Sequence, residues 1–374
     1  MRFTVNKDAF LKALNTASHA IDPKNALAAL ANFKLELDEK GLGVTGSNTR
    51  ITIRSTVPYK NGDKELIRNS GVGGTLVNAR SCLEGVRRME GSEITLEVID
   101  DSIAKVSDGK TDYKLPCMKA EEYPDLNLEP EGEGLEVPCS DLISLVDATA
   151  FAASSKEQAR PILTAVNLEA GNGELVATAT DSFRLARKSV PITGDAKFTV
   201  NVPARLLIDV THLFETALNV RIYTSADTVL FAFDGTIVSS RLIDGAFPVT
   251  KAIIPQGFNY YLEVNANELL AAMGRASVVT AEREPTVTLS MKEDAVEISS
   301  KNDLNGSVEE SLSTFSFTGE KLSISFNPIY VSDAVKALKS EDVTLCFQSD
   351  QRPFVVRDNK NPSVVELMTP LRSH

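Results

Sequence analysis

The chain has 374 residues, 43% hydrophobic and 24% charged, a globular composition with apolar material for two or three cores. Its formal charge of −12 argues against a blanket electrostatic grip on a polyanion, and the absence of Trp with only 6% aromatics excludes a rich stacking platform. No apolar run approaches the ~18 residues of a membrane span. The opening MRFTVNKDAF carries no signal-peptide core, so a cytoplasmic protein is expected.

Taken in chain order, the elements repeat. FTVNKDAFLKAL from Phe3 reads as a strand running into an amphipathic helix, and the same pattern returns as LEVPCSDLISLV from Leu135 and LEVNANELLAAM from Leu262. With Val5, Val137 and Val264 as anchors, Phe10, Leu11 and Leu14 fall in register with Leu142, Ile143 and Val146, then with Leu269, Leu270 and Met273. That spacing is one stripe of a helix. Pairs of short strands follow, with turns near Gly41, Gly173 and Asp294. A second strand–helix pair closes each unit, its helices being ARSCLEGVRRM, ARLLIDVTHLF and PIYVSDAVKAL. An acid recurs in them as Glu84, Asp209 and Asp333, where the helix dipole is expected to favour it. The acidic stretch Glu129–Glu136 and IIPQGFN (Ile253–Asn259) read as linkers, giving domains 1–128, 129–255 and 256–374. The fold class is therefore α+β, three repeats of two helices packed on antiparallel sheets.

Charge is not spread evenly over these elements. The six helices, taken at their widest, carry nine Lys and Arg against nine Asp and Glu, so the whole −12 lies outside them. Neutral-to-basic helices beside acidic strands would let a polyanion approach one face and be repelled elsewhere, although solvated helix faces of mixed charge explain the same count.

A search for chemistry returns little. Cys82, Cys117, Cys139 and Cys346 lie far apart without a CxxC pair and read as free thiols rather than a disulfide framework or zinc site. His19, His212 and His374 have no triad or metal-site neighbours. Gly71, Gly73 and Gly74 read as a loop before the strand TLVNA, not as a phosphate cradle, and Asp100-Asp101 as a solvated turn. Ser182 lacks the flanking glycines of a nucleophile elbow. No catalytic residue, metal or cofactor is expected. What stands out is TATDSFRLARKSVPI (Thr178–Ile192), which mixes apolar side chains and arginine after a strand. Its counterparts VTGSNTRITIRSTVPY and ISSKNDLNGSVEESLST keep the strand pattern and lose FRLA. The apolar end VVELMTPLRSH is a docked last strand or part of the same surface.

The three repeats, ATDSFRLA in the middle copy, LIDGAFPVTKAIIP after it and the TPLR ending together resemble the bacterial sliding clamps, the β subunits of DNA polymerase III, over the whole chain. The resemblance implies three DNA-clamp-type domains forming a ring as a head-to-tail homodimer, its helices lining a hole for duplex DNA bound without sequence preference. Such a ring is a non-enzymatic processivity factor that tethers the polymerase and other partners. The alternative is a peptide-binding scaffold that does not encircle DNA.

By the same resemblance, a pocket for short linear motifs of polymerase and clamp-loader subunits comprises Thr180, Ser182, Phe183, Arg184, Leu185, Pro248, Ile253, Leu367, Met368, Pro370, Leu371 and Arg372. DNA contacts fall to Lys24, Arg80, Arg160 and Arg205, and the dimer contact to Tyr113, Leu115, Val278 and Val279. The sequence departs from the family at Phe183, where His is common, at Ala252, where Arg is common, and in the Ser373-His374 extension. These changes bear on motif preference.

Overall fold

Six α-helices form among the described residues: α1 (Lys7–Ser18), α2 (Ala79–Arg88), α3 (Cys139–Thr149), α4 (Ala204–Thr211), α5 (Ala266–Ala276) and α6 (Pro328–Leu338). Each begins where a strand ends. In the first and third repeats an asparagine makes the joint, its side-chain oxygen accepting from a backbone N–H one turn ahead: Asn6 from Ala9, Asn78 from Ser81, Asn265 from Glu268 and Asn327 from Ile329. This satisfies one orphan donor at each helix start. In the middle repeat Pro138 and Pro203 stand at that position instead. The helices are shorter than the apolar pattern suggested and carry eight bases against seven acids. The recurrent acid also sits elsewhere than expected: Glu84 and Asp333 lie beyond the first turn of α2 and α6, too far along for the dipole to hold them. Glu84 pairs with Arg87 and Arg88, and Asp333 with Arg184.

The computed structural model describes residues 1–126, 128–156 and 159–371, with backbone alone at 69 and 70. It divides into two compact units, Met1–Cys139 with Asp209–Leu242, and Ser140–Ile208 with Ile243–His374. The middle repeat thus contributes chain to both.

In the first unit thirteen strands form one antiparallel sheet. Its core is the predicted stripe and the strands it faces: Phe3, Val5, Phe10, Leu14, Phe33, Leu35, Val77 and Val86 are all buried. Phe3 and Phe10 meet edge to face with ring centroids 6.2 Å apart. The glycines expected in a loop lie within strands, Ile67–Gly71 and Gly73–Asn78. Gly74 is needed there because a Cβ would stand 2.8 Å from that of Ala120. Asp100 and Asp101 both take positive φ (51° and 54°), which makes the hairpin turn between strands Glu93–Ile99 and Ile103–Ser107.

The second unit holds a nine-stranded and a four-stranded sheet. Leu262, Val264, Leu269, Met273, Val287, Ile298, Ile324 and Val331 are buried in a core between helices and strands. Here too the stripe behaves as read: Leu269 and Met273 are fully buried and Leu270 sits at the core's margin.

Repeats join edge to edge within each unit. Strand Ile51–Val57 of the first repeat pairs with Thr236–Arg241 of the second. Arg184–Pro191 of the second pairs with Val364–Met368 of the third. The strand that corresponds in the third repeat, Gly306–Ser311, ends its sheet with one edge open. In the first repeat, Asp112–Pro116 pairs only with Ile103–Ser107 among the described residues and is likewise open on its other side.

Candidate partner-binding site

The segment preceding each joining strand makes the same turn three times. The side-chain oxygen of Asn48 accepts from the N–H groups of Arg50 and Ile51 (both 3.0 Å), that of Asp181 from Phe183 and Arg184 (2.9 and 3.0 Å), and that of Asn302 from Leu304 and Asn305 (2.9 and 3.1 Å). An Asx turn at each place explains why Asn or Asp recurs there. In the first two repeats a hydroxyl locks the turn from the other side. Ser182 N–H donates to Thr180 Oγ1 and Thr49 N–H to Ser47 Oγ, and Thr49 and Ser182 take φ of 75° and 79°.

Only the middle copy puts an aromatic and an arginine on this turn. Arg184 is nearly buried and every side of its guanidinium is used. Nε donates to Asp181 Oδ2 (3.1 Å), Nη1 to Asp333 Oδ2 (2.7 Å) and Nη2 to the carbonyl of Phe151 (2.6 Å). Above it the ring of Tyr330 lies 4.6 Å away, and the ring of Phe151 is 5.3 Å away. Tyr330 in turn stacks on Phe183 at 6.5 Å and 25°. Burial, with the charge of Asp181 adding to it, pushes the Tyr330 hydroxyl's pKa up, so the ring is neutral at physiological pH. Arg184 is thus a fixed strut, not a free hand for a ligand.

The strand pairing brings the chain's end to this turn. Arg184 lies opposite Met368 and Leu185 opposite Leu367. Thr369 donates twice to the carbonyl of Phe183, through its N–H (2.9 Å) and its hydroxyl (2.8 Å). Leu371 is tied down by its N–H to the carbonyl of Ser325 (2.7 Å). Thr180, Leu185, Leu367 and Met368 are buried and form the support of the site. Phe183 (51% exposed) and Ile253 (49%) present apolar surface, with Pro370 and Leu371 partly accessible. Leu185 and Leu367 share a small cluster with Cys346, Val355, Ile254 and Phe258 on one sheet face. Pro248 lines a neighbouring groove of about 340 Å³ with Thr178, Arg187 and Val249. Arg372 lies outside the described residues, as do Ser373 and His374.

Beneath the site, Glu366 is 1% exposed on strand Val364–Met368 and its Oε1 has no hydrogen-bond partner. Desolvation raises its pKa well above the ordinary value, against the opposing pull of Arg184 and Lys188. Lys188 donates to Ser144 on α3, and burial lowers its pKa.

Tyr330, Phe151, Asp333, Thr369 and Glu366 were not picked out as site residues. Asp333 alone left a trace, as the recurrent helix acid, and the others required knowledge of which strands meet.

The remaining expected residues make none of the contacts described at this site. Lys24 and Arg80 belong to the first unit, Arg160 and Arg205 to the second, and all four are exposed. Tyr113 and Leu115 pack partly against the first core from the open strand. Val278 is 79% exposed and Val279 half-buried in the 3-10 turn after α5. Leu304, at 94% exposure, joins this end of the second unit because Asn305 Nδ2 donates to the carbonyl of Thr280 (3.2 Å). Cys82, Cys139 and Cys346 are buried, and burial raises the Cys82 thiol to about 12 and that of Cys346 to about 11, so neither is a ready nucleophile.

Comparison with known proteins agrees along the entire chain. Residues 1–128, 136–249 and 251–372 match the N-terminal, central and C-terminal domain models of the DNA polymerase III beta subunit. The beta sliding clamps of Bacillus subtilis and Lactococcus lactis are 32% and 34% identical, with all of this chain and all of each relative covered. The crystal structure of the Bacillus subtilis DNA polymerase sliding clamp superposes with a TM-score of 0.95 at 32% identity, and that of the Streptococcus pneumoniae beta chain with 0.94 at 31%, both over the full chains. The chain belongs to the DNA polymerase III beta subunit family, the beta sliding clamps.

Proposed function

We propose that two copies of this chain close into a ring around duplex DNA and tether replication proteins through the site at Phe183. As a member of a non-catalytic family of processivity factors, it acts by holding partners on DNA. The observation that carries the ring is the pair of open strands. Repeats one and two, and two and three, are joined by an antiparallel pairing, and the same pairing between Gly306–Ser311 of one copy and Asp112–Pro116 of the next would cover both of these open edges. A head-to-tail contact repeated by a rotation that closes makes a ring. Tyr113 and Leu115 on one side and Val278 and Val279 on the other are the apolar contacts of that joint, to which Leu304 is added. Domains 1–128, 129–255 and 256–374 are the repeating parts.

Inside the ring, Lys24, Arg80, Arg160 and Arg205 meet phosphates without reading bases, so the clamp slides. Partners bind as short linear segments at the apolar surface of Phe183, Ile253, Pro370 and Leu371, supported from behind by Thr180, Leu185, Leu367 and Met368, with Ser182 in the turn and Pro248 in the neighbouring groove. Polymerase and clamp-loader subunits are the partners of this kind. Its place of action is the cytoplasm, where its DNA and replication partners are. Separately, no helix among the described residues is long and apolar enough to cross a membrane.

A topological assay tests encirclement. The protein, loaded on nicked circular DNA, should stay bound at high salt and be lost once the circle is cut to a linear form. Equal retention on both forms would overturn the ring.

A further inference from the structure

Both joints inside the chain carry a second tie besides their paired strands. Where repeats one and two meet, Lys12 on α1 pairs with Glu215, just past α4 (3.1 Å). Where repeats two and three meet, Asp147 on α3 pairs with Lys339, which ends α6 (2.7 Å). In each case the first helix of one repeat is tied to the end of the second helix of the next. Glu215 and Lys339 occupy one position of the repeat, six residues after the recurrent acids Asp209 and Asp333. Repeat one has Glu90 there, six after Glu84. Lys12 and Asp147 fall about one turn apart on the exposed side of the first helix. With Val5, Val137 and Val264 in register, repeat three has Ala271 in the place of Lys12 and Gly274 in the place of Asp147.

The same rule at the joint between copies sets α5 of one chain opposite Glu90 of the next. Ala271 and Gly274 are exposed on α5 and uncharged. The two charges that α5 does carry are engaged within the chain. Glu268 accepts from the N–H groups of Ser313 and Thr314 (2.5 and 3.0 Å), and Arg275 makes two bonds to Glu310 on strand Gly306–Ser311, its Nε donating at 2.7 Å. Glu90 pairs with Lys110 of its own repeat (2.7 Å).

We infer that the joint between copies lacks the helix-to-helix ion pair that ties both joints within the chain, and that position 271 sets its strength. The inference rests on the ring reading above and deepens it by naming what distinguishes the third joint from the other two. One exposed ion pair is weak, but a head-to-tail dimer has two identical joints, so any change at position 271 counts twice.

The test measures the dimer dissociation constant of the full chain by sedimentation equilibrium. A271K puts an ammonium where Lys12 stands in repeat one, and it should tighten the dimer about threefold to twentyfold at low salt. A271E sets like charges against each other and should loosen it by a similar factor, while A271Q should change it less than about twofold. At about 0.5 M salt the gain of A271K should fall below about twofold. E90A should leave the parent dimer unchanged and abolish the gain of A271K. Equal constants for A271K and A271E, or a gain that survives E90A, would overturn the inference. So would a weaker dimer with E90A alone, because the joint would then already hold such a pair. A parent chain that stays single at every concentration would instead overturn the ring reading itself.

Discussion

Two residues under the site show how environment, not residue type, sets a role. Arg184 and Lys188 are both basic and both on strand Arg184–Pro191, yet the first spends its charge on two aspartates and the second, half-buried, donates to Ser144. Among the described residues Glu366 between them gains neither as a direct partner, and burial raises its pKa well above the ordinary carboxylate value. Its native pKa lies above that of the unfolded chain, so the native state binds the proton more tightly. Stability from this group is fully present below the ordinary carboxylate range and is lost as pH rises toward the native pKa. The slope is at most about 1.4 kcal/mol per pH unit. Glu366→Gln keeps the shape and removes the titration. Urea unfolding at pH 5 and pH 8 should show the variant gaining on the wild type as pH rises; a gap independent of pH would contradict a raised Glu366 pKa.

At the scale of elements, the apolar stripe was readable because helix geometry dictates it: Phe10 with Leu14 and Leu269 with Met273 point inward, one turn apart. Leu269→Ala in α5 should cost about 2–5 kcal/mol, the range for a buried leucine whose cavity cannot fully collapse. The midpoint of urea unfolding reads it, and a shift worth under about 0.5 kcal/mol would mean the helix does not seal that core. The recurrent acid was less readable. Its spacing in sequence was clear, but a helix position does not reveal that Asp333 faces an arginine 149 residues away in the chain. The glycines of 71–74 misled for a related reason. Gly74 reported a close approach of Ala120, a contact local sequence cannot supply.

For the whole molecule, the pairings Ile51–Val57 with Thr236–Arg241 and Arg184–Pro191 with Val364–Met368 amount to one rule applied twice. The proposed dimer is its third application. Val278 is 79% exposed, so Val278→Asp should leave each chain folded while burying a charge at the joint. Light scattering should then give the mass of a single chain, with thermal unfolding of the core little changed; a persistent dimer would place the joint elsewhere. The charge division belongs to this scale as well. Helices carrying eight bases against seven acids, in a chain of −12, confine the negative field to the strands and loops.

By itself the sequence determined the threefold repeat, the six helices and their buried stripes, and the place where the middle copy diverges. These follow from periodicity and local turn chemistry, which act over a few residues. Only the tertiary structure decided that Arg184 is a strut, that Tyr330 and Phe183 stack upon it beneath Lys156, and that Glu366 is buried below with no hydrogen bond to its Oε1 among the described residues. Each of those depends on strand and helix pairings between residues far apart in the chain, and a side chain's exposure and partners are fixed only when those segments meet.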